Sequence, residues 1–571
     1  MKWIKHNDLN NSFDYIKKHK VLLLLIIPAF ILNILVMSLS GTTFCLAEKC
    51  GMHFWGVNSH DAMWHLEIAA VSFRQFPFAV PTFAGAELSG YNILMDLGIY
   101  LISLVGIPPV ITLFKIIPII WFVAYTAVLI TLSRKIHDSK LFVGLVLFVS
   151  YFAGHLGYLL QIYHNSPIFG GSQSFALQSA TILLNTQLAL SLPFLFYLLI
   201  LIKEKKFDLK STWIFSLVVA LIISLKFYGG VIAIFFGAVY FFESYFQKKQ
   251  IVFSIKQGLI LVIPTLIAVI LFYNPFLASK SGSVFIFAPF SIVHSMIEEA
   301  NMVYLPDMVN ARYFLYENDI YSPRLLFIEL FSTFIYIVLN FGTRIFGLGY
   351  VLYRIIRRTV TKFEIYIFLA IILSVTLSVA LIQKGDWWNT VQFSYYGIFL
   401  SNILLALFLY QLIKKKNILL YLIALLIILL TIPQNVNTIQ GFTSKNTTYI
   451  SREELEALAF LKDQPNGVVY NSFLAREGYS FYDYRNSGYV SAFTNKQLYL
   501  AHIGPLKIIG VDPSERIKKV EEQDCSVLSK IDYIYFVTQH EKGILDNCQP
   551  ILNNTFQEIF SNSEILIYKK L

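Results

Sequence analysis

The chain has 571 residues, of which 56% are hydrophobic and only 14% charged, with a mean hydropathy of +0.62. Soluble globular proteins carry about 25% charged residues, so this composition excludes a soluble globular class and points to repeated passage through a bilayer. The formal net charge of +10 does not imply nucleic-acid binding, because Lys and Arg fall in short clusters between apolar runs, where they orient a membrane protein.

The first apolar run, Val21 to Ser40, follows a basic stretch as a signal peptide would. It is long, and no small-x-small cleavage pattern follows closely, so it reads as an uncleaved first helix. Further membrane helices are predicted at 109–132, 141–161, 178–202, 212–228, 229–246, 258–274, 326–352, 364–383, 393–413 and 418–434. That makes about eleven crossings. Tyr91 to Gly106 is apolar but short, contains Asp96 and precedes Pro108-Pro109; it reads as an interfacial or re-entrant helix. The stretch 212–246 exceeds one crossing and carries Lys226-Phe-Tyr-Gly-Gly230 at its middle. It reads as two helices joined by a tight external turn, or as a broken helix lining a cavity.

The basic clusters at the N-terminus, 134–140, 203–210, 248–256, 354–362 and 414–416 hold 22 Lys and Arg, whereas the opposite loops up to residue 434 hold seven. The asymmetry predicts an integral plasma-membrane protein with a cytoplasmic N-terminus and, after an odd number of crossings, an extracytoplasmic C-terminus. Three external segments are substantial: 41–108, 275–325 and 435–571. The chain thus divides into a membrane module, 1–434, and an extracytoplasmic α/β domain, 435–571.

The latter opens on a capping box, Ser451-Arg-Glu-Glu454, before a helix carrying Leu455, Leu458 and Leu461. Strand-like runs follow at 467–470, 533–536 and 565–568, with a helical segment at 514–522. Four cysteines form two local pairs, Cys45/Cys50 and Cys525/Cys548. Both pairs fall in external segments, where disulfides form, four free thiols being the alternative.

The most informative loop is Gly56-Val-Asn-Ser-His60-Asp61-Ala-Met-Trp64-His65-Leu-Glu67. Asp61 and His65 are spaced i, i+4, on one face of any helix here. A carboxylate beside a histidine at a membrane surface suits a general base or a cation ligand. The bland alternative is an amphipathic surface helix whose polar face meets water.

Phe76-Pro-Phe-Ala-Val-Pro81 and Phe83-Ala-Gly-Ala-Glu-Leu-Ser-Gly-Tyr91-Asn-Ile-Leu-Met-Asp96 follow. With these residues the chain resembles the GT-C superfamily of membrane glycosyltransferases, of the protein mannosyltransferase or aminoarabinose transferase type. The architectural likeness covers the whole chain, and the sequence signal covers mainly 56–132. The resemblance implies a polytopic helical fold and sugar transfer from a polyprenyl-phosphate donor to an extracytoplasmic protein, lipid or polysaccharide acceptor. It makes Asp61 the catalytic carboxylate, with His65 beside it and His60 and Asp96 at the substrate. Many members carry two adjacent acids here, whereas this chain has His60-Asp61; a divalent cation, Mg or Mn, is therefore left open as cofactor and no metal ligands are assigned.

Donor phosphate charges need cations near the interface, for which Lys226, Arg312, Arg324 and Lys384 are the candidates. His164, Asp386 and Trp387 are further candidates for substrate contact; lipid snorkelling and interfacial anchoring are the alternatives for Lys226 and Trp387. No Walker A, GxGxxG after a strand, HExxH or GxSxG sequence occurs, which weakens ATP-driven transport and Rossmann chemistry. No cytoplasmic loop is long enough to form a domain for a nucleotide-sugar donor. The competing classes are a transporter or lipid flippase, and a non-catalytic protein that binds an envelope polymer.

Overall fold

The computed structural model describes residues 6–46, 49–165, 175–273, 285–384, 387–443, 447–471, 483–538 and 548–571. The chain falls into two compact units, one of residues 1–36, 120–271 and 284–443, the other of 37–119, 272–283 and 444–571.

Each predicted membrane segment is helical over most of its described length, 364–383 ending in the short strand Leu381–Gln383 and 141–161 being interrupted at 153–156. Among the described residues nine helices are long and apolar enough to cross a bilayer, and a tenth span results if Lys140–Phe152 and Gly157–Tyr163, bent by 53°, count as one. This is a polytopic helical membrane protein. Leu209–Leu225 is a shorter apolar helix of 17 residues. The segment predicted to lie at the interface forms Leu94–Ser103, whose 10 residues extend only about 15 Å, half the hydrocarbon thickness.

The stretch 212–246 breaks where the sequence indicated. Lys226 is extended at φ −156°, ψ 118°, between Leu209–Leu225 and Phe227–Lys248. The following glycines permit the close approach: a Cβ at Gly229 would lie 2.4 Å from the Tyr396 hydroxyl, and one at Gly230 2.4 Å from Ile223.

The helix predicted at 326–352 is instead two, Pro323–Phe341 and Arg344–Ile356. Gly342 turns the chain at φ +58°, a conformation that favours glycine. Arg344 then points inward, fully buried. Its guanidinium donates to Asn402 Oδ1 (2.6 Å), Gln178 Oε1 (2.9 Å) and the carbonyls of Ala153 (2.9 Å), Gly154 (3.3 Å) and Phe341 (3.3 Å). These carbonyls belong to the ends and breaks of two helices, where backbone acceptors lack intrahelical partners and the dipole favours a cation.

The second unit combines the first long loop with the C-terminal residues. Thr42–Leu46 and Lys49–Trp55 form an antiparallel hairpin, and Thr447–Ser451 adds to it with Gly51 opposite Ser451. A four-stranded sheet places Val469–Asn471 parallel to Tyr533–Val537, followed by antiparallel Ile565–Lys570 and Phe556–Ser561. One apolar core serves both parts, uniting Trp64, Ile68 and Val80 with Leu506, Ile534 and Phe556.

Ser451 caps the helix Arg452–Asp463 by accepting from the Glu454 N–H at 3.1 Å. The Glu454 side chain does not complete the box; it is buried and accepts from Tyr484 and, at 2.6 Å, from Tyr489. Both cysteine pairs are disulfide-bonded, Cys45 to Cys50 across the hairpin and Cys525 to Cys548.

Candidate active site

The site is built on the helix Asp61–Val71, in which every residue is buried except Asp61 and His65. This is not the water-facing amphipathic helix weighed above. It is a core helix with a window one turn long, and the i, i+4 spacing puts both open side chains in that window. A short turn, Gly56–Ser59, leads into it, fastened by the Asn58 amide donating to Ser40 Oγ at 3.0 Å. Asp61 occupies the first helical position, where the helix dipole favours negative charge, and its side chain is 57% exposed.

Each open side chain is backed by a buried one. His60 Nδ1 lies 3.0 Å from Asp61 Oδ1, with His60 itself buried. His65 Nδ1 lies 3.0 Å from Asp96 Oδ1, and Asp96 is fully buried on the helix Leu94–Ser103. A carboxylate on Nδ1 holds an imidazole with its Nδ1 protonated, leaving Nε2 as the basic nitrogen. Tyr91 packs near both His65 and Trp64, with ring centroids 6.3 and 6.0 Å apart. Burial and the charges of Asp96 and Asp61 push the Tyr91 hydroxyl's pKa well up, so it remains a phenol, a hydrogen-bond donor.

Beneath the window lies a second carboxylate–histidine pair that sequence reasoning missed. Glu67 and His502 have fully buried side chains, with His502 Nδ1 at 3.0 and 3.2 Å from the two carboxylate oxygens. The Gly488 N–H donates to Glu67 Oε1 at 2.7 Å. The His502 ring meets His60 edge-on at 4.4 Å and Trp64 at 5.8 Å.

Burial pushes Glu67 up to about 8, against the lowering effects of the Gly488 N–H and of His60 and His65. Burial, with His60 second, holds His502 well below the ordinary histidine value. At neutral pH the pair therefore carries one proton and no net charge. His502 Nε2 has no hydrogen-bond partner among the described residues. Glu67 left one sequence signal, a lone acid inside Leu66 to Ala70; His502, 435 positions away, left none.

Of the residues predicted for the site, Asp61, His65, His60 and Asp96 come together as these two pairs. The remaining candidates belong to the helical unit. Lys226 is buried, with its ammonium 5.9 Å from the Tyr228 ring centroid. The Tyr228 hydroxyl donates to Gln383 Oε1 at 2.7 Å, and the same oxygen accepts from Asn389 at 2.8 Å. Gln392 donates to Asn389 and accepts from Asn185 at 3.2 Å. This uncharged polar row adjoins Lys384 and Trp387 in sequence; Lys384 is exposed and Trp387 half-exposed.

Arg312 is engaged in an ion-pair cluster, bonded to Glu329 at 3.0 Å and Glu298 at 3.2 Å, with His294 also on Glu329 at 2.7 Å. Arg324 is exposed in the first turn of Pro323–Phe341. His164 bonds the Met302 carbonyl through Nε2. Asp386 lies outside the described residues.

Among the described residues no three His, Cys, Asp or Glu side chains are grouped as metal ligands. In the window each open side chain is paired through one polar atom, Asp61 Oδ1 with His60 and His65 Nδ1 with Asp96. No protein-family model matches the chain, and no curated protein matches it.

Proposed function

We propose that this protein is a membrane glycosyltransferase that transfers a sugar from a polyprenyl-phosphate-linked donor to an extracytoplasmic acceptor, with Asp61 as the catalytic carboxylate. The observation that carries the reading is the window itself: a core helix exposes only Asp61 and His65, and each is hydrogen-bonded to a buried group that orients it. Buried groups locking the rotamers of two adjacent polar side chains are what an acid–base site requires.

In an inverting transfer, Asp61 takes the proton of the acceptor hydroxyl as its oxygen bonds to the anomeric carbon. The bond from that carbon to the phosphate oxygen breaks, and the electron pair leaves on polyprenyl phosphate. His65, its Nδ1 held by Asp96, offers Nε2 to a substrate hydroxyl. Lys226, on the helical unit, is the candidate that the resemblance offers for the donor phosphate.

Two observations support the orientation, with 41–108 and 444–571 on the outer side of the plasma membrane. Basic residues concentrate in the opposite loops, 22 against seven. Both disulfides are formed in those two segments, as an oxidising compartment allows.

The test is transfer from a polyprenyl-phosphate sugar by the purified full chain and by Asp61→Asn. Asp61→Asn is expected to abolish transfer while the unfolding temperature stays that of wild type. An unchanged rate would remove Asp61 from the mechanism.

A further inference from the structure

We propose that Glu67 and His502 are positioning residues for Asp61: together they form a buried prop that fixes the His60 ring, and through the His60 Nδ1–H they set the geometry of the Asp61 carboxylate. The inference rests on the transferase reading for its kinetic consequence and on geometry for its structural one.

The contacts form a continuous series. The Gly488 N–H fixes Glu67 Oε1, Glu67 fixes His502 through Nδ1, and the His502 ring stands at 78° to His60. His60 Nδ1 meets Asp61 Oδ1. His502 adopts a left-handed backbone, φ 49° and ψ 58°, a conformation sparsely populated outside glycine and sustained only where the surroundings over-determine it. Its Nε2 meets no partner among the described residues. A histidine both strained and half-satisfied is poorly explained as core filling, because an apolar residue would occupy that volume without leaving a buried polar atom unpaired.

The charge state matters to the site above. The ionisable groups facing the pair are His60, Asp61 and His65 of the site helix, with Asp96 on Leu94–Ser103 and Tyr91 near them. A cationic His502 edge-on to His60 would oppose any positive charge there. A neutral His502 leaves the His60 Nδ1–H donating to Asp61 Oδ1, which holds the carboxylate in one rotamer. When Glu67 ionises, near the pH of about 8 set by its burial, the prop gains a negative charge and the arrangement changes.

Glu67→Gln reproduces the neutral acid: its carbonyl oxygen accepts from Gly488 and its amide donates to His502. Glu67→Ala and His502→Ala remove the prop. Two measurements on the full chain test the inference: the pH profile of kcat for transfer, and nitrogen-15 shifts of His60 in histidine-labelled protein, assigned by loss of its signal in His60→Gln.

The expected results are an alkaline fall in wild-type kcat near pH 8 that Glu67→Gln lacks, and a drop in kcat on the order of 10-fold or more in Glu67→Ala with donor KM unchanged. The His60 shifts should change in Glu67→Ala and His502→Ala, and Glu67→Gln should restore them. Transfer with the same profile in wild type and Glu67→Gln would overturn the inference and leave the proposed activity standing. Absence of transfer in wild type would sink the activity; the His60 shifts then decide alone, and shifts identical in wild type, Glu67→Ala and His502→Ala would overturn the prop.

Discussion

His65 and Asp96, 31 positions apart in sequence, meet at 3.0 Å between Nδ1 and Oδ1, the histidine at the window and the aspartate fully buried. The helix that brings Asp96 there is too short to cross a bilayer and packs against the site helix within the same unit. Asp96→Asn keeps the shape and an acceptor oxygen but removes the charge and permits the other imidazole tautomer. Transfer is expected to fall by about 100-fold or more, the scale of a misaligned general acid or base, with little change in the unfolding temperature. Steady-state kinetics beside a melting curve checks this. A variant equally slow but melting far lower would make Asp96 a packing residue.

The Glu67–His502 pair gives stability a characteristic pH dependence. Burial raises Glu67 from 4.5 to about 8, so its contribution is complete below pH 4.5 and is lost as pH rises towards 8. Burial lowers His502 from 6.5, so its contribution is complete above pH 6.5 and is lost as pH falls. Between those two ordinary values the effects cancel, since the folded pair and the unfolded chain each hold one proton. Between pH 6.5 and 8 only the folded pair keeps its proton, and this pair's contribution declines by about 1.4 kcal/mol per pH unit. Melting curves of wild type and Glu67→Gln in the same detergent should differ in slope from pH 4.5 to 8: the variant gains stability up to pH 6.5 where wild type is flat, and is flat above 6.5 where wild type declines. Parallel curves throughout would refute it.

Arg344 carries a buried charge and is bonded by five acceptors, none of them a carboxylate. Replacing it with Met leaves those acceptors buried and unpaired, a cost of about 3 kcal/mol or more given roughly 1–3 kcal/mol for each group so stranded. Lys is expected to fail nearly as badly, because a single ammonium cannot reproduce the planar fork of donors. Thermal unfolding and the yield of folded protein measure both. A Lys variant as stable as wild type would reduce the role of Arg344 to its charge alone.

The parts of this fold that local pattern encodes were legible in the sequence, and the parts made by distant pairing were not. Apolar runs located the membrane helices among the described residues, and Lys226-Phe-Tyr-Gly-Gly230 located a break because two consecutive glycines and a charge are costly in a helix interior. The same logic missed the break at Gly342, where one glycine in an apolar run looks tolerable and the compensating group, Arg344, finds its acceptors on remote segments.

Asp61 and His65 were visible as an i, i+4 pair. That their helix is buried on every other face depends on an apolar core shared with residues more than 400 positions away, which no local spacing records. The strand Phe556–Ser561 was missed, and its neighbour Ile565–Lys570 found, because only the latter has a short continuous apolar run.

Gly488 offers the sharpest steric test. A Cβ there would lie 2.4 Å from Thr82 Cγ2, 2.7 Å from Glu67 Cδ and 2.9 Å from Glu67 Oε1. These neighbours are themselves fully buried, so the added methyl must displace the carboxylate that the Gly488 N–H holds. Gly488→Ala is expected to cost about 1–3 kcal/mol, the usual penalty of overpacking, and to shift the His60 signals as Glu67→Ala does. Gly504 is the matched control: a methyl there would meet nothing within 4 Å, and the residue lies in the helix Ile503–Ile508. Gly504→Ala should be neutral or stabilising by up to about 1 kcal/mol. If Gly488→Ala melts like Gly504→Ala and leaves His60 unchanged, the backbone of the C-terminal segment does not hold Glu67 in place.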